Sequence, residues 1–216
     1  MSNDQENITH YLHKWFSDKA GISVAKINHH WPVFPEEEAF ITHAIPQRRA
    51  EFATGRQCAR EALRQLGFAA QPLLVGTLRQ PLWPHGTIGS LTHDGELCAV
   101  VVLIQKHYHG IGIDIAQKQA LNEHQLMAMV ASAQERMDCQ THRDHACSPL
   151  LLFSIKESII KAISSHVGHF IDMQEINVQL VENGTFMATH PKQKGTLSGY
   201  WVALSHFWLT AAISRP

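Results

Sequence analysis

Two long helical patterns, 46–66 and 149–168, set the plan of this chain. The first opens on Pro46, and Phe52, Ala59, Ala62, Leu63 and Leu66 recur at helical spacing to give it one apolar face. Gly67 follows as a C-terminal cap. The second opens on Ser148-Pro149, a capping residue followed by a proline whose missing N–H costs nothing in a first turn. Between them, Ile88–His93 and Leu97–Ile104 are apolar runs joined by Asp94-Gly95, a hairpin signal. A third run, Gly110–Ile115, is predicted to complete an antiparallel meander with them. Leu121–Met137 reads as one helix. Beyond the second long helix, strands are predicted over 176–181, 185–189, 197–204 and 207–213, with Asn183-Gly184 as a turn. The first 45 residues show little beyond a loop at Trp31–Pro35 and a helix start at Glu36-Glu37-Glu38. Each half thus offers one major helix and about three strands. The expected fold is α+β in two similar halves, 1–111 and 112–216, each a small antiparallel sheet packed with a long helix.

A length of 216 residues and a hydrophobic content of 44% suffice for a packed core without cross-links. The formal net charge is −1, so no global field attracts nucleic acid, and any anionic ligand must be held by local basic clusters. Cys58, Cys98, Cys139 and Cys147 form no regular framework, which fits reduced thiols and a cytoplasmic setting. The polar, acidic N-terminus does not read as a signal peptide, and the longest apolar run, Cys98–Ile104, is too short for a transmembrane segment. Cys139, His142, His145 and Cys147 have zinc-ligand chemistry, but four ligands in nine residues are tighter than the usual paired spacing, and a plain loop is the competing reading.

Two segments carry chemistry. In Gly110–Ala116 side chains alternate, so Gly112, Asp114 and Ala116 share one strand face. Asp114 beside a glycine suits a hard cation, or is an ordinary edge aspartate. In Phe153–Lys161, Ser154, Glu157 and Lys161 share a helix face, with Lys156 about 100° round the axis from Glu157. These residues could hold a metal and flank a phosphate, or Glu157 and Lys161 could be a plain i,i+4 pair. Arg56, Arg60 and Arg64 lie four apart and could equally be a solvated charged face.

Taken together, Gly112-Ile113-Asp114 and Phe153-Ser154-Ile155-Lys156-Glu157-Ser158-Ile159-Ile160-Lys161 resemble the paired motifs of the 4′-phosphopantetheinyl transferases. The resemblance runs over residues 46–165: Gly89–Val102 looks like the family's Ser-x-Ser/Thr-His segment, and Arg48–Arg56 and Arg79–Gly86 look like the siderophore-associated, enterobactin-synthase type of that family. It implies a monomer of two halves with the site between them. It implies transfer of the phosphopantetheine arm of coenzyme A to a serine of an apo acyl, aryl or peptidyl carrier protein, with release of 3′,5′-ADP, in siderophore synthesis. It implies Mg²⁺ on Asp114 and Glu157. Arg48, Arg49, Arg56, Thr92 and His93 would bind the coenzyme A phosphates, and Lys156 and Lys161 would face the pyrophosphate. Glu157 would accept the serine proton and Lys161 would stabilise the leaving ADP. By the same likeness the carrier would dock near Glu123–Met137.

One position departs from the family pattern. Most members carry a second acid two residues after the aspartate, where this chain has Ala116. A water could fill the place, since Mg²⁺ retains several. Alternatively the change lowers activity, or another acid such as Asp172 reaches in. Gln117 points to the opposite face. A non-catalytic coenzyme A-binding homologue is the reading from a different class.

Overall fold

A computed structural model describes residues 2–17, 19–105, 108–119, 122–141 and 148–215. Its contacts divide the chain into two compact units, Met1–Lys106 and His107–Pro216. The division falls ahead of the strand at Gly110–Gln117, so that strand belongs whole to the second unit rather than being cut at 111/112.

The first unit holds α1 (Ser2–Phe16), β1 (Gly21–Lys26), α2 (Pro35–Glu38), α3 (Pro46–Gln65), β2 (Thr87–Asp94) and β3 (Leu97–Ile104). The strands form an antiparallel sheet in the order β1-β3-β2. Cys58, Ala59, Ala62 and Leu63 of α3 pack on Cys98, Val100 and Val102 of β3 and on Leu91 of β2. Cys58 and Cys98 are buried thiols, neither in a disulfide. In α1, Ile8, Leu12 and Phe16 are buried at four-residue intervals, the apolar stripe of a helix docked on one side.

The second unit holds β4 (Gly110–Gln117), α4 (Glu123–Val130), α5 (Ala133–Thr141), α6 (Pro149–Val167), β5 (Asn177–Val181), β6 (Thr185–Thr189), β7 (Leu197–Ala203) and β8 (Phe207–Ser214). The sheet order is β4-β8-β7-β6-β5. The expected meander is therefore corrected: β4 pairs with β8, not with the β2–β3 hairpin. The helix expected over 121–137 is also two helices. The break falls at Ala131-Ser132, where Ser132 N donates to Glu135 Oε2 at 2.7 Å and Glu135 N donates to Ser132 Oγ at 3.3 Å. This reciprocal capping box starts α5 afresh.

Both units use one wiring plan. In each, the first strand pairs with the last strand, which pairs with the one before it. In each, a glycine of the first strand lets the long helix press its backbone onto the sheet. A Cβ on Gly21 would stand 1.9 Å from Ala62 O, and one on Gly110 would stand 1.9 Å from Ala162 O. Each long helix also carries a buried cation at the same place, Arg56 or Lys156, tied to a buried carboxylate, Glu37 or Glu135. Among the described residues no helix is long and apolar enough to cross a membrane.

Candidate active site

The second unit's centre follows from the way α6 lies along β4. A Cβ on Gly110 would meet Ala162 O, and one on Gly112 would come within 1.8 Å of Ser158 O. Four helical residues advance about 6.0 Å. Two strand residues advance about 6.6–6.8 Å, so the two elements stay nearly in step. The next pair is Asp114 with Ser154, and Ser154 Oγ donates to Asp114 Oδ2 at 2.8 Å. Thr210, paired with Asp114 in the β4–β8 ladder, meets Ser154 Oγ at 3.0 Å and donates to Ser154 O at 2.9 Å. One turn beyond Glu157, Lys161 Nζ donates to Asp114 Oδ1 at 2.7 Å and to Ile113 O at 3.1 Å. Asp114 is 6% exposed, so this is a mostly desolvated ion pair, held by hydrogen bonds on both oxygens.

Glu157 lies between these groups on the same helix and accepts no hydrogen bond from the described residues. Burial pushes its carboxyl above the usual range; Lys161 pulls it down and Asp114 adds to the rise. A half-buried carboxylate in that state is a proton acceptor shifted toward neutral pH.

Lys156 corrects an expectation. It is fully buried, and its Nζ donates to Glu135 Oε2 at 2.6 Å, Val130 O at 2.8 Å and Met173 O at 2.9 Å. All three ammonium protons are committed, so none remains to face a pyrophosphate. The lysine instead ties α6 to α4, α5 and the turn at Met173–Glu175. Burial lowers its pKa and Glu135 opposes that. Asp172 caps that turn by accepting from Gln174 N at 2.9 Å. No group of three or more His, Cys, Asp or Glu among the described residues could hold a metal, so Asp172 does not join Asp114 and Glu157. Ala116 is buried with Leu151, Ile155 and Trp208. His142, His145 and Cys147 lie outside the described residues, as does the side chain of Cys139.

The first unit gathers the other candidates. Arg48 of α3 donates from NH1 to His93 Nε2 of β2 at 3.0 Å, across 45 residues of sequence. That fixes Nε2 as the acceptor and leaves the ring proton on Nδ1, which faces Glu51 Oε2 at 3.8 Å. Glu51 also accepts from Arg48 at 3.3 Å. Arg56 is 4% exposed, lies over the Phe52 ring at 4.2 Å, and donates from Nε to Leu73 O at 2.8 Å. Desolvation lowers its pKa to about 10, against the pull of Glu37, so it stays charged at neutral pH. Arg56 and Arg60 are thus not a solvated face. Only Arg64 is, paired with Glu61.

Arg49 and Thr92 stand elsewhere. Arg49 donates to Glu38 Oε1 at 2.5 Å and to Ile41 O at 2.6 Å, which ties α3 to α2 and its following turn. Thr92 is buried on the strand face opposite Leu91 and His93, which face α3. Sequence reasoning did not single out Glu37, Glu51, Glu135 or Thr210. For Glu135 the signal was present in Ser132-Ala133-Gln134-Glu135, a capping-box spacing.

The comparisons with known proteins follow the same two units. The 4′-phosphopantetheinyl transferase N-terminal domain matches residues 36–103, and the 4′-phosphopantetheinyl transferase superfamily domain matches residues 110–211. The chain is 37% identical to the 4′-phosphopantetheinyl transferase Svp of Streptomyces mobaraensis over 72% of this chain and 65% of that protein. It is 31% identical to the 4′-phosphopantetheinyl transferase Npt of Nocardia iowensis over 70% of this chain and 68% of that one. It is 37% identical to enterobactin synthase component D of Escherichia coli K12 over 64% and 66% respectively. The match spans less than two thirds of the Streptomyces relative. Two domain matches in tandem, laid over two units of one plan, place this chain in the 4′-phosphopantetheinyl transferase family.

Proposed function

We propose that this protein transfers the 4′-phosphopantetheine group of coenzyme A to a serine of an apo carrier protein and releases 3′,5′-ADP. The observation that supports this best is the Asp114–Ser154–Lys161 network with Glu157 beside it. It sets one carboxylate that is hydrogen-bonded on both oxygens next to one that has no donor among the described residues. In this reading Glu157 takes the serine hydroxyl proton, and the serine oxygen attacks the β-phosphorus. The bond from that phosphorus to the bridging oxygen breaks, and 3′,5′-ADP leaves with the bridging oxygen. Lys161 offsets the charge that develops there. Arg48, Arg56 and His93 hold the 3′-phosphate.

Asp114 and Glu157 fit Mg²⁺. A carboxylate oxygen can accept more than one partner, so Asp114 can meet a cation as well as Ser154 and Lys161, and the raised Glu157 carboxyl gains from a neighbouring cation. Two carboxylates with substrate phosphates and waters are a usual Mg²⁺ set. The ion would supply charge neutralisation on the pyrophosphate. The relatives named as enterobactin synthase components support carriers of siderophore synthesis as the substrates. The exposed Met129 and Met137 on α4 and α5 support a carrier-docking face there. We further propose that the protein acts as a cytoplasmic monomer.

The test is the intact mass of an apo carrier incubated with coenzyme A, Mg²⁺ and this protein. Gain of one phosphopantetheine supports the transferase. Coenzyme A binding without a mass gain supports instead the non-catalytic homologue that Ala116 suggests.

A further inference from the structure

We propose that Glu37 is a positioning residue for coenzyme A. It fixes the buried guanidinium of Arg56 so that its unused N–H groups are presented to the 3′-phosphate. This deepens the reading above, and rests on Arg56 being a ligand of that phosphate. Glu37 is 0% exposed. It accepts from Phe34 N at 2.9 Å, from Leu73 N at 2.8 Å, and from Arg60 NH1 at 3.1 and 3.2 Å. Its bond to Leu73 N sets the peptide segment whose carbonyl receives Arg56 Nε at 2.8 Å. Glu37 Oε1 also lies 4.0 Å from that Nε. With Nε and the Phe52 ring fixing its plane, the outer edge of the guanidinium has one orientation.

Charge balance separates this hub from its counterpart in the second unit. Glu135 accepts from Ser132 N, Val178 N and Lys156 Nζ, the same set of one N–H three residues back, one N–H from a later segment and one cation. There a single carboxylate meets a single ammonium whose protons are all used. In the first unit a single carboxylate faces two guanidinium groups. Arg60 spends NH1 on Glu37 and NH2 on Pro32 O. Arg56 spends only Nε, and its NH1 and NH2 have no partner among the described residues. A buried positive charge in excess of its carboxylate is costly unless an anion completes it, and a guanidinium fork matches a phosphate. One copy of the plan is closed and neutral; the other is open toward an anion.

The test compares coenzyme A with dephospho-coenzyme A, which lacks only the 3′-phosphate, in steady-state transfer to an apo carrier. Wild type is expected to show a lower KM for coenzyme A. Arg56→Ala should bring the two KM values closer, with Arg48 and His93 keeping a residual difference. Glu37→Gln should raise KM for coenzyme A by roughly tenfold or more, the scale of a hydrogen bond to a charged group, with kcat and the KM for dephospho-coenzyme A little changed. Glu135→Gln carries a comparable structural burden and should leave the KM ratio intact. If Arg56→Ala leaves the ratio intact, the reading of Arg56 as a phosphate ligand fails. If Arg56→Ala shrinks it and folded Glu37→Gln keeps it in full, the proposal for Glu37 fails. Should Glu37→Gln not fold, the same two outcomes are read on Glu37→Asp, whose shorter arm cannot reach Leu73 N and Arg60 together.

Discussion

Gly112→Ala tests whether the close approach of α6 to β4 builds the centre. The added Cβ would sit 1.8 Å from Ser158 O, 2.8 Å from its carbon and 2.9 Å from Ala162 N, all backbone atoms that cannot rotate away. Ordinary contact begins at 3.4 Å, so the helix must retreat by about 1.6 Å. That stretches the 2.8 Å and 2.7 Å bonds of Ser154 and Lys161 to Asp114 beyond hydrogen-bonding range. Overpacking against backbone should cost about 2–3 kcal/mol. For a chain of this size that is a fall in Tm of roughly 4–12 °C. A displacement above 1 Å at reacting groups should lower kcat by about 100-fold. Gly110→Ala makes the same clash, 1.9 Å from Ala162 O, but farther along the strand from Asp114. It should lose similar stability and much less activity. The assays are calorimetry and phosphopantetheine transfer. A Gly112→Ala protein with unchanged Tm, or one no less active than Gly110→Ala, would refute the reasoning.

Other substitutions separate structural from functional roles. Lys156→Met leaves Glu135 buried and unpaired, so denaturant titration should show a loss of about 3–5 kcal/mol; a stable variant with only a raised KM for coenzyme A would contradict the structural role. Arg49→Ala removes a partly exposed ion pair worth about 0.2–1 kcal/mol, and KM for coenzyme A should change far less than in Arg56→Ala. Glu157→Gln should raise Tm in metal-free buffer at neutral pH. The folded carboxyl titrates above its unfolded value, so the folded state binds more protons in that interval and stability falls as pH rises through it. The advantage of Gln should therefore shrink as pH falls through that interval and be gone below the unfolded carboxyl's ordinary range, and an advantage independent of pH would contradict burial as the cause. Ala116→Glu places a carboxylate among Leu151, Ile155 and Trp208, so its Tm should fall without metal and recover with Mg²⁺ by more than wild type gains.

Residues that announce themselves locally were legible in the sequence. Pro46, Gly67, Ser148, Pro149 and Asp94-Gly95 mark element ends through their own backbone chemistry. Asp114, Glu157 and Lys161 were legible as candidates because strand alternation and helix periodicity leave few faces to choose from, but the Asp114–Lys161 ion pair was not. Pairings across long separations were not. Nothing in Gly110–Gln117 says that its partner is Phe207–Ser214 rather than the adjacent hairpin. Lys156 sits beside Glu157 in a motif, yet its direction depends on α4, α5 and the Met173–Glu175 turn wrapping its side of α6. Of three consecutive glutamates only Glu37 is buried, and that is decided by Leu73 and Arg60, far along the chain. In α1, Ile8, Leu12 and Phe16 are separated by polar residues in a helix that is polar on average, which masks the stripe.

The most direct test of the transferase account is Glu157→Gln measured two ways on one preparation. Coenzyme A affinity is read by calorimetry with Mg²⁺ present, and transfer by the intact mass of an apo carrier with 3′,5′-ADP release. Wild type should modify the carrier with one 3′,5′-ADP released per carrier. Glu157→Gln should still bind coenzyme A while transfer falls by about 100-fold or more, the scale of lost general-base catalysis. A variant that modifies the carrier at the wild-type rate, or a wild type that releases no 3′,5′-ADP, would contradict the account.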